Sequence, residues 1–185
     1  MVRKILTLLV WISPLSLCAQ KEVTMSDLLS NTYEAQDIYI YNHTCVCQKC
    51  KKQDFICTKL DDSPFLTLSA WLKQNPNVQV SFEIYIDSRT AAKYQNNFTE
   101  QKAEELTAIL LEFGVGGGQF TCKGMGASPR TLRNDEKGKN SDYLFKAGTL
   151  LNELFINNIL TSVGYEEYED AHLLNRRIEM KIISK

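Results

Sequence analysis

Between Val78 and Ile86 the chain alternates without a break: Val78, Val80, Phe82, Ile84 and Ile86 are apolar, and Gln79, Ser81, Glu83 and Tyr85 stand between them. A period of two puts the five apolar side chains on one face of a pleated strand, so that face is predicted to lie on a core. The alternation stops at Asp87. A polar, small-residue stretch runs on to Phe98, after which the spacing changes: Ala103, Leu106, Leu110 and Phe113 fall three and four apart and make one helical stripe. Thr99 is the expected N-cap of that helix, and Gly114 stands where helices commonly end. The result, from residue 78 to residue 110, is a strand, a loop and a helix. Asp87 closes the strand, and Lys102 is expected in the helix's first turn, where free amides and the helix dipole favour an anion. A carboxylate and a cation are thus predicted to flank one crevice.

The other elements are placed around this unit. Residues 37–41, Asp-Ile-Tyr-Ile-Tyr, read as a first strand. Ser63-Pro64 is an N-cap with proline at the first helical position, and Phe65, Leu68 and Leu72 give that helix a buried stripe up to Asn75-Pro76. Gly116-Gly117-Gly118 is read as a turn, because a phosphate-cradling glycine run needs a helix directly after it and here a strand, 119–123, follows. Gly124-Met125-Gly126 opens a long insert, 127–174, with one helical run, 150–160, whose apolar face is Leu150, Leu151, Leu154, Phe155 and Ile159. Residues 175–183 form the last strand, with Ile178, Met180 and Ile182 facing inward. Residues 21–36 carry only scattered apolar positions and read as a short tether or a partial helix.

Composition narrows the classes. A chain of 185 residues, 44% hydrophobic and 23% charged, has room for one main domain, 37–185. With a net charge of −1 there is no broad basic field, and nucleic acid is not the expected partner. Arg3 and Lys4, the mostly apolar residues 5–17 and the short side chains of 16–20 read as an export signal, too short to span a bilayer. Cleavage is expected near residues 18–20. Leu15-Ser16-Leu17-Cys18 also looks like a bacterial lipoprotein signal, in which Cys18 carries the lipid, the sole membrane attachment then in view. Loss of Arg3 and Lys4 takes the basic side chains from 21 to 19 against 22 acidic ones, a mature net charge of −3.

Cys45, Cys47, Cys50 and Cys57 crowd into one lysine-rich loop. Such spacing serves either thiolate metal ligation or local disulfides, one of which could reach Cys122. An exported protein forms and keeps disulfides, and that is the expectation, with no metal or other cofactor. No nucleophile stands at motif spacing from a base and no carboxylate pair is set for acid–base work, so no enzyme is expected. His43 and His172 are read as structural.

The order of short motifs resembles the OmpA-like peptidoglycan-binding domains found at the ends of outer-membrane proteins and lipoproteins. The pieces are Leu72, Asn75, Pro76, Val78 and Val80; Asp87-Ser88-Arg89; Tyr94, Phe98, Thr99, Lys102 and Ala103; Gly124, Gly126 and Pro129; and Ala171-His172 with Leu174, Asn175-Arg176-Arg177-Ile178-Glu179. The resemblance covers residues 37–185. It implies an α+β, β-α-β-α-β-β two-layer sandwich with a mixed sheet, here carrying the cysteine-rich loop and the long insert before the last strand. It also implies that an aspartate at Asp87 and a cation fifteen residues on, Lys102, grip the diaminopimelate of a peptidoglycan stem peptide. Arg176 and Arg177, at a strand start, either contact the ligand or pair with Glu179 and nearby acids, and with Ser88 and Gln95 they complete the candidate ligand-binding positions. Lys102 stands where the family has arginine, Thr90 where glycine is common, Gln95 where asparagine is common, and Tyr85-Ile86 where a His-Thr pair is usual. A lysine there loses the two-pronged guanidinium geometry, a cost of about 1 kcal/mol or more.

The implied function is non-covalent attachment of the outer membrane or an envelope complex to the cell wall, in the periplasm or outer membrane of a Gram-negative bacterium. The departures motivate a second reading from another class: a divergent scaffold that docks other envelope proteins through the 127–174 insert. A thiol metal or redox role for the cysteine loop is the third.

Overall fold

The computed structural model describes residues 21–35, 37–41, 60 and 62–185. The proposed export signal with Cys18, His43, and the loop bearing Cys45, Cys47, Cys50 and Cys57 lie outside the described residues.

The architecture is α+β. Five strands form one mixed sheet in the order β1 (Glu22–Val23), β2 (Ile38–Tyr41), β7 (Arg177–Ser184), β3 (Gln79–Ile86), β4 (Phe120–Ala127). β7 runs antiparallel to both its neighbours, while β1 with β2 and β3 with β4 are parallel pairs. Parallel neighbours require a crossover, and the helix α3 (Ala92–Glu112) supplies it between β3 and β4. With α2 (Ser63–Gln74) it covers one face of the sheet.

The expected alternation in β3 holds: Val80, Phe82 and Ile84 are almost fully buried and stand directly opposite Ile182, Met180 and Ile178 of β7. Facing them are Phe65, Leu68 and Leu72 of α2 and Leu106 and Leu110 of α3. Each such side chain contributes about 1.5–3 kcal/mol on leaving water, so the sheet–helix interface carries the fold. Gly114, just past α3, has φ +80°, the left-handed turn that a glycine ends a helix with.

Residues 21–35, read as a tether or partial helix, are built into this core. β1 extends the sheet, and the short helix α1 (Met25–Leu29) is capped by Thr24 and Asp27 in reciprocal hydrogen bonds. Leu28 and Tyr33 are buried against Trp71, whose indole N–H donates to the Leu28 carbonyl at 2.9 Å.

Two further expectations are corrected. α3 begins at Ala92, so Thr99 lies inside the helix and is not its N-cap. Its hydroxyl bonds back to the Gln95 carbonyl and accepts the Gly126 N–H at 3.0 Å, tying the helix to β4. The early turns, Ala92–Asn97, are exposed or half-buried, so no apolar stripe advertised them. β4 likewise runs on through Gly124 to Ala127. A Cβ at Gly124 would collide with the backbone of Thr99 and Glu100, so only glycine lets helix and strand approach this closely.

The insert has a core of its own: Leu132, Phe145, Leu151, Ile156, Ile159, Ala171 and Leu174. It consists of a hairpin of β5 (Glu136–Lys137) and β6 (Leu144–Phe145), then α4 (Glu153–Ser162) and α5 (Tyr165–Asn175). The expected helix exists as α4, N-capped by Asn152, but its buried face is Ile156 and Ile159 with Leu151 before it. Leu150 and Leu154 are exposed. α5 was not foreseen, and it takes Asn175 away from the last strand. Buried Arg130 joins the insert to the sheet, pairing with Glu22 of β1 at 3.5 Å and with Glu136 of β5.

Candidate functional site

The C-terminal end of β3 delivers Asp87 into a charged cluster. Asp87 accepts the Arg89 backbone N–H at 3.0 Å, the turn expected of an aspartate at a strand end. The Arg89 side chain also folds onto it, Nη2 to Oδ2 at 3.0 Å and Nε to Oδ1 at 3.3 Å. Arg176, at the end of α5, brings Nε to 2.8 Å from Oδ2 as a charge contact whose N–H is not aimed at the oxygen. On its far side Arg89 Nη1 donates to both oxygens of Glu169, at 2.8 and 2.9 Å. The row is therefore Arg176, Asp87, Arg89, Glu169, two cations and two anions drawn from the β3–α3 loop and from α5. Burial alone would raise the Asp87 pKa, but the hydrogen bonds of Arg89 and the charges of Arg176 and Arg89 outweigh it and hold the carboxyl below the usual carboxylate range. Asp87 is 4% exposed, whereas about a fifth of each of the Arg176, Arg89 and Glu169 side chains is open to solvent.

Lys102 is placed differently from the expectation. Because α3 starts at Ala92, Lys102 lies in mid-helix, not in the first turn, and is 5% exposed. Its ammonium is paired with Glu105 at 2.7 Å and lies over the Phe98 ring, and the other Glu105 oxygen accepts the Leu60 N–H. No contact joins it to Asp87 among the described residues. Arg177 also turns elsewhere. Its guanidinium stacks on Tyr85 at 3.8 Å, pairs with Glu179 at 2.6 Å and donates to the Ser128 carbonyl.

Ser88 and Gln95 do come together. They line a groove of about 460 Å³ with Ile86, Pro129, Asn152 and Leu154, between the start of α3 and the insert. Gln95 is held by a 2.7 Å bond from its amide to the Thr90 carbonyl. Two members of the cluster were not among the expected site residues: Arg89, present only as part of the Asp87-Ser88-Arg89 motif, and Glu169. A period-based reading had no reason to single out Glu169 within Glu166-Glu167-Tyr168-Glu169-Asp170, where carboxylates are plentiful.

His172, read as structural, lies buried beside this row, edge-on to Tyr168 at 4.6 Å, with neither ring nitrogen hydrogen-bonded among the described residues. Burial, reinforced by the Arg89 charge, pushes its pKa down to about 4. Since the unfolded chain takes up the proton near pH 6.5, acidification below that value favours unfolding, and the loss grows until the folded form protonates too. Stability is expected to fall by about 2 kcal/mol on this account between pH 7.5 and pH 5, and His172→Leu should remove most of that slope in urea unfolding at the two pH values.

Cys122 carries a free thiol, so the pairing that would reach it is not formed. Burial raises that thiol to about 11. Among the described residues no group of three or more His, Cys, Asp or Glu side chains could hold a metal ion, and no helix is long and apolar enough to cross a membrane.

The class these observations define is an α+β domain with a mixed five-stranded sheet, two covering helices and a charged cluster at one strand end. No protein-family model matches the chain, and no curated protein does. Among solved structures it is similar to the peptidoglycan-associated lipoprotein from Burkholderia pseudomallei, at 18% identity and a TM-score of 0.43 over 70% of this chain and 85% of that one. It is similar also to the OmpA-like domain of FopA1 from Francisella tularensis, at 11% identity and a TM-score of 0.40 over 89% and 92%. For the periplasmic domain of Helicobacter pylori MotB (residues 78-256) the figures are 11% and 0.41 over 67% and 62%, so the chain spans less than two thirds of that domain.

Proposed function

We propose that this chain binds peptidoglycan without a covalent bond and so attaches an envelope component, in the periplasm or at the outer membrane, to the cell wall. The observation that supports the reading best is the juxtaposition at the end of β3: one carboxylate, Asp87, against two guanidinia, Arg89 and Arg176, beside a groove walled by Ser88 and Gln95. The end of a diaminopimelate side chain offers an ammonium and a carboxylate on one carbon. Asp87 is suited to the first and a guanidinium to the second, because planar N–H pairs match a carboxylate. In this reading the guanidinia of Arg89 and Arg176, not Lys102, supply the cation that the motif resemblance assigns fifteen residues after Asp87, and the groove accommodates the neighbouring part of the stem peptide. Arg177 supports the site by fixing the strand end.

Purified diaminopimelate-type sacculi test this. The mature protein should sediment with them, and Asp87→Ala should reduce the bound fraction at a given sacculus concentration by about tenfold or more, the loss of one charged hydrogen-bond partner. Equal sedimentation of two proteins with matching near-ultraviolet spectra would refute the site.

A second reading is favoured by one observation. α4 of the insert exposes Leu154 at 71%, with Leu150, Leu160 and Val163 also open to solvent, which suits a scaffold that docks another envelope protein. Failure to sediment, together with loss of a co-purifying envelope protein on Leu154→Glu, would support it.

A further inference from the structure

The Arg89–Glu169 pair joins two segments 80 residues apart at the partly exposed end of the Asp87 cluster. Its geometry is unlike a packing brace. Arg89 presents one edge, Nε and Nη2, to Asp87, and its remaining Nη1 is capped by both oxygens of Glu169. The capping carboxylate comes from α5, the element of the insert whose C-terminal end also brings Arg176 to Asp87, and not from the β3–α3 loop that carries Asp87 and Arg89. It lies where the carboxylate of any amino-acid ligand seated on Asp87 would seek the same guanidinium. The Glu169 side chain is 21% exposed, so water reaches it and it can be exchanged.

We infer that Glu169 is a resident competitor: it occupies the guanidinium that a ligand carboxylate needs, so that binding exchanges an internal ion pair for an equivalent external one. The inference rests on the wall-binding reading and deepens it by naming what sets the affinity. Two physical terms act in the same direction. The ligand must displace Glu169 from Arg89, and until it has done so the Glu169 charge repels the incoming carboxylate. A partly exposed ion pair is weak, which is the condition for exchange. The ligand class that feels this competition is one with an anionic carboxylate next to its ammonium. Ligands lacking the carboxylate meet no competitor.

The test compares the wild type with Glu169→Gln and Glu169→Asp in sacculus sedimentation, with Asp87→Ala as the reference for loss. Glutamine keeps the size and removes the charge, and its affinity should rise by about fivefold, the equivalent of one partly exposed ion pair. Aspartate keeps the charge on a stem one methylene shorter, and its affinity should fall between the other two. Repeating the assay with sacculi whose stem-peptide carboxylates have been amidated should abolish the gain of Glu169→Gln over wild type. Equal or weaker binding by a folded Glu169→Gln, with wild type still sedimenting and Asp87→Ala not, overturns the competitor while leaving the wall reading intact. Absence of sedimentation by every form overturns both.

Discussion

Trp71→Ala is expected to cost about 3–5 kcal/mol, since it empties a large, fully enclosed volume. Trp71 is 2% exposed, sits edge-on to Tyr33 at a 5.3 Å centroid distance, and donates its indole N–H to the Leu28 carbonyl. Removing it opens a cavity under α2 and takes from the Leu28 carbonyl its donor from outside α1's own turn, leaving only the Asn31 backbone N–H on it among the described residues. For a chain of this size that loss lowers the melting temperature by about 10 °C. Hydrogen exchange should show residues 21–35 losing protection before the central strands do, because Trp71 is what holds α1 to the core. Trp71→Phe separates the two contributions: it restores most of the volume but not the N–H, and should recover more than half of the loss. A Trp71→Ala protein that melts within a degree or two of wild type would show that the N-terminal segment is not a working part of the core.

The second large effect falls on Asp170, next in sequence to Glu169 but pointing the other way. It is 1% exposed and accepts the backbone N–H groups of Asn140 and Ser141, both at 2.9 Å at their closer oxygens, and their side chains, both at 2.8 Å. No cation faces it among the described residues. Its negative charge is held by four donors of a single loop, and the loop is held by it. Asp170→Ala removes the acceptor and leaves two backbone N–H groups enclosed without partners, so about 3–5 kcal/mol should be lost. Asp170→Asn should recover little, because one of its two terminal groups is itself a donor turned toward donors. The damage should be local first: limited proteolysis is expected to cut near residues 138–141 while the five-stranded sheet stays intact. Uniform melting of sheet and insert together would mean that the insert and the sheet unfold as one unit.

These two sites differ in how visible they were. Trp71 lies on the helix that Ser63-Pro64 and the Phe65, Leu68, Leu72 stripe announced; the stripe did not include Trp71 itself, which stands three residues after Leu68 on the same buried face. Asp170 sits in α5, which carries four carboxylates and two tyrosines in its first six residues and no apolar stripe. Its helix is stabilised by what it touches, and tertiary packing overrides the weak local pattern. The same cause displaced the start of α3. The exposed Ala92-Lys93-Tyr94-Gln95-Asn96-Asn97 segment has no core-facing face to reveal a helix, and Thr99, a good cap in isolation, is used instead to receive the Gly126 N–H. That shift moved Lys102 out of the first turn and ended the case for placing it opposite Asp87 by helix position.

The sequence by itself determined the sheet–helix core, because an apolar period of two or of three and four is a local property that each segment carries wherever it folds. It also determined that Asp87 stands at a strand end, since the alternation stops there. Only the tertiary structure decided the partners of the charges: Arg176 and Arg89 on Asp87, Glu169 on Arg89, Glu105 on Lys102, Glu179 and Tyr85 on Arg177. Ion pairing depends on distance in space, and every charged side chain has several candidates of opposite sign along the chain. The fold selects among them by bringing α5 across the end of β3, and no local pattern encodes that crossing.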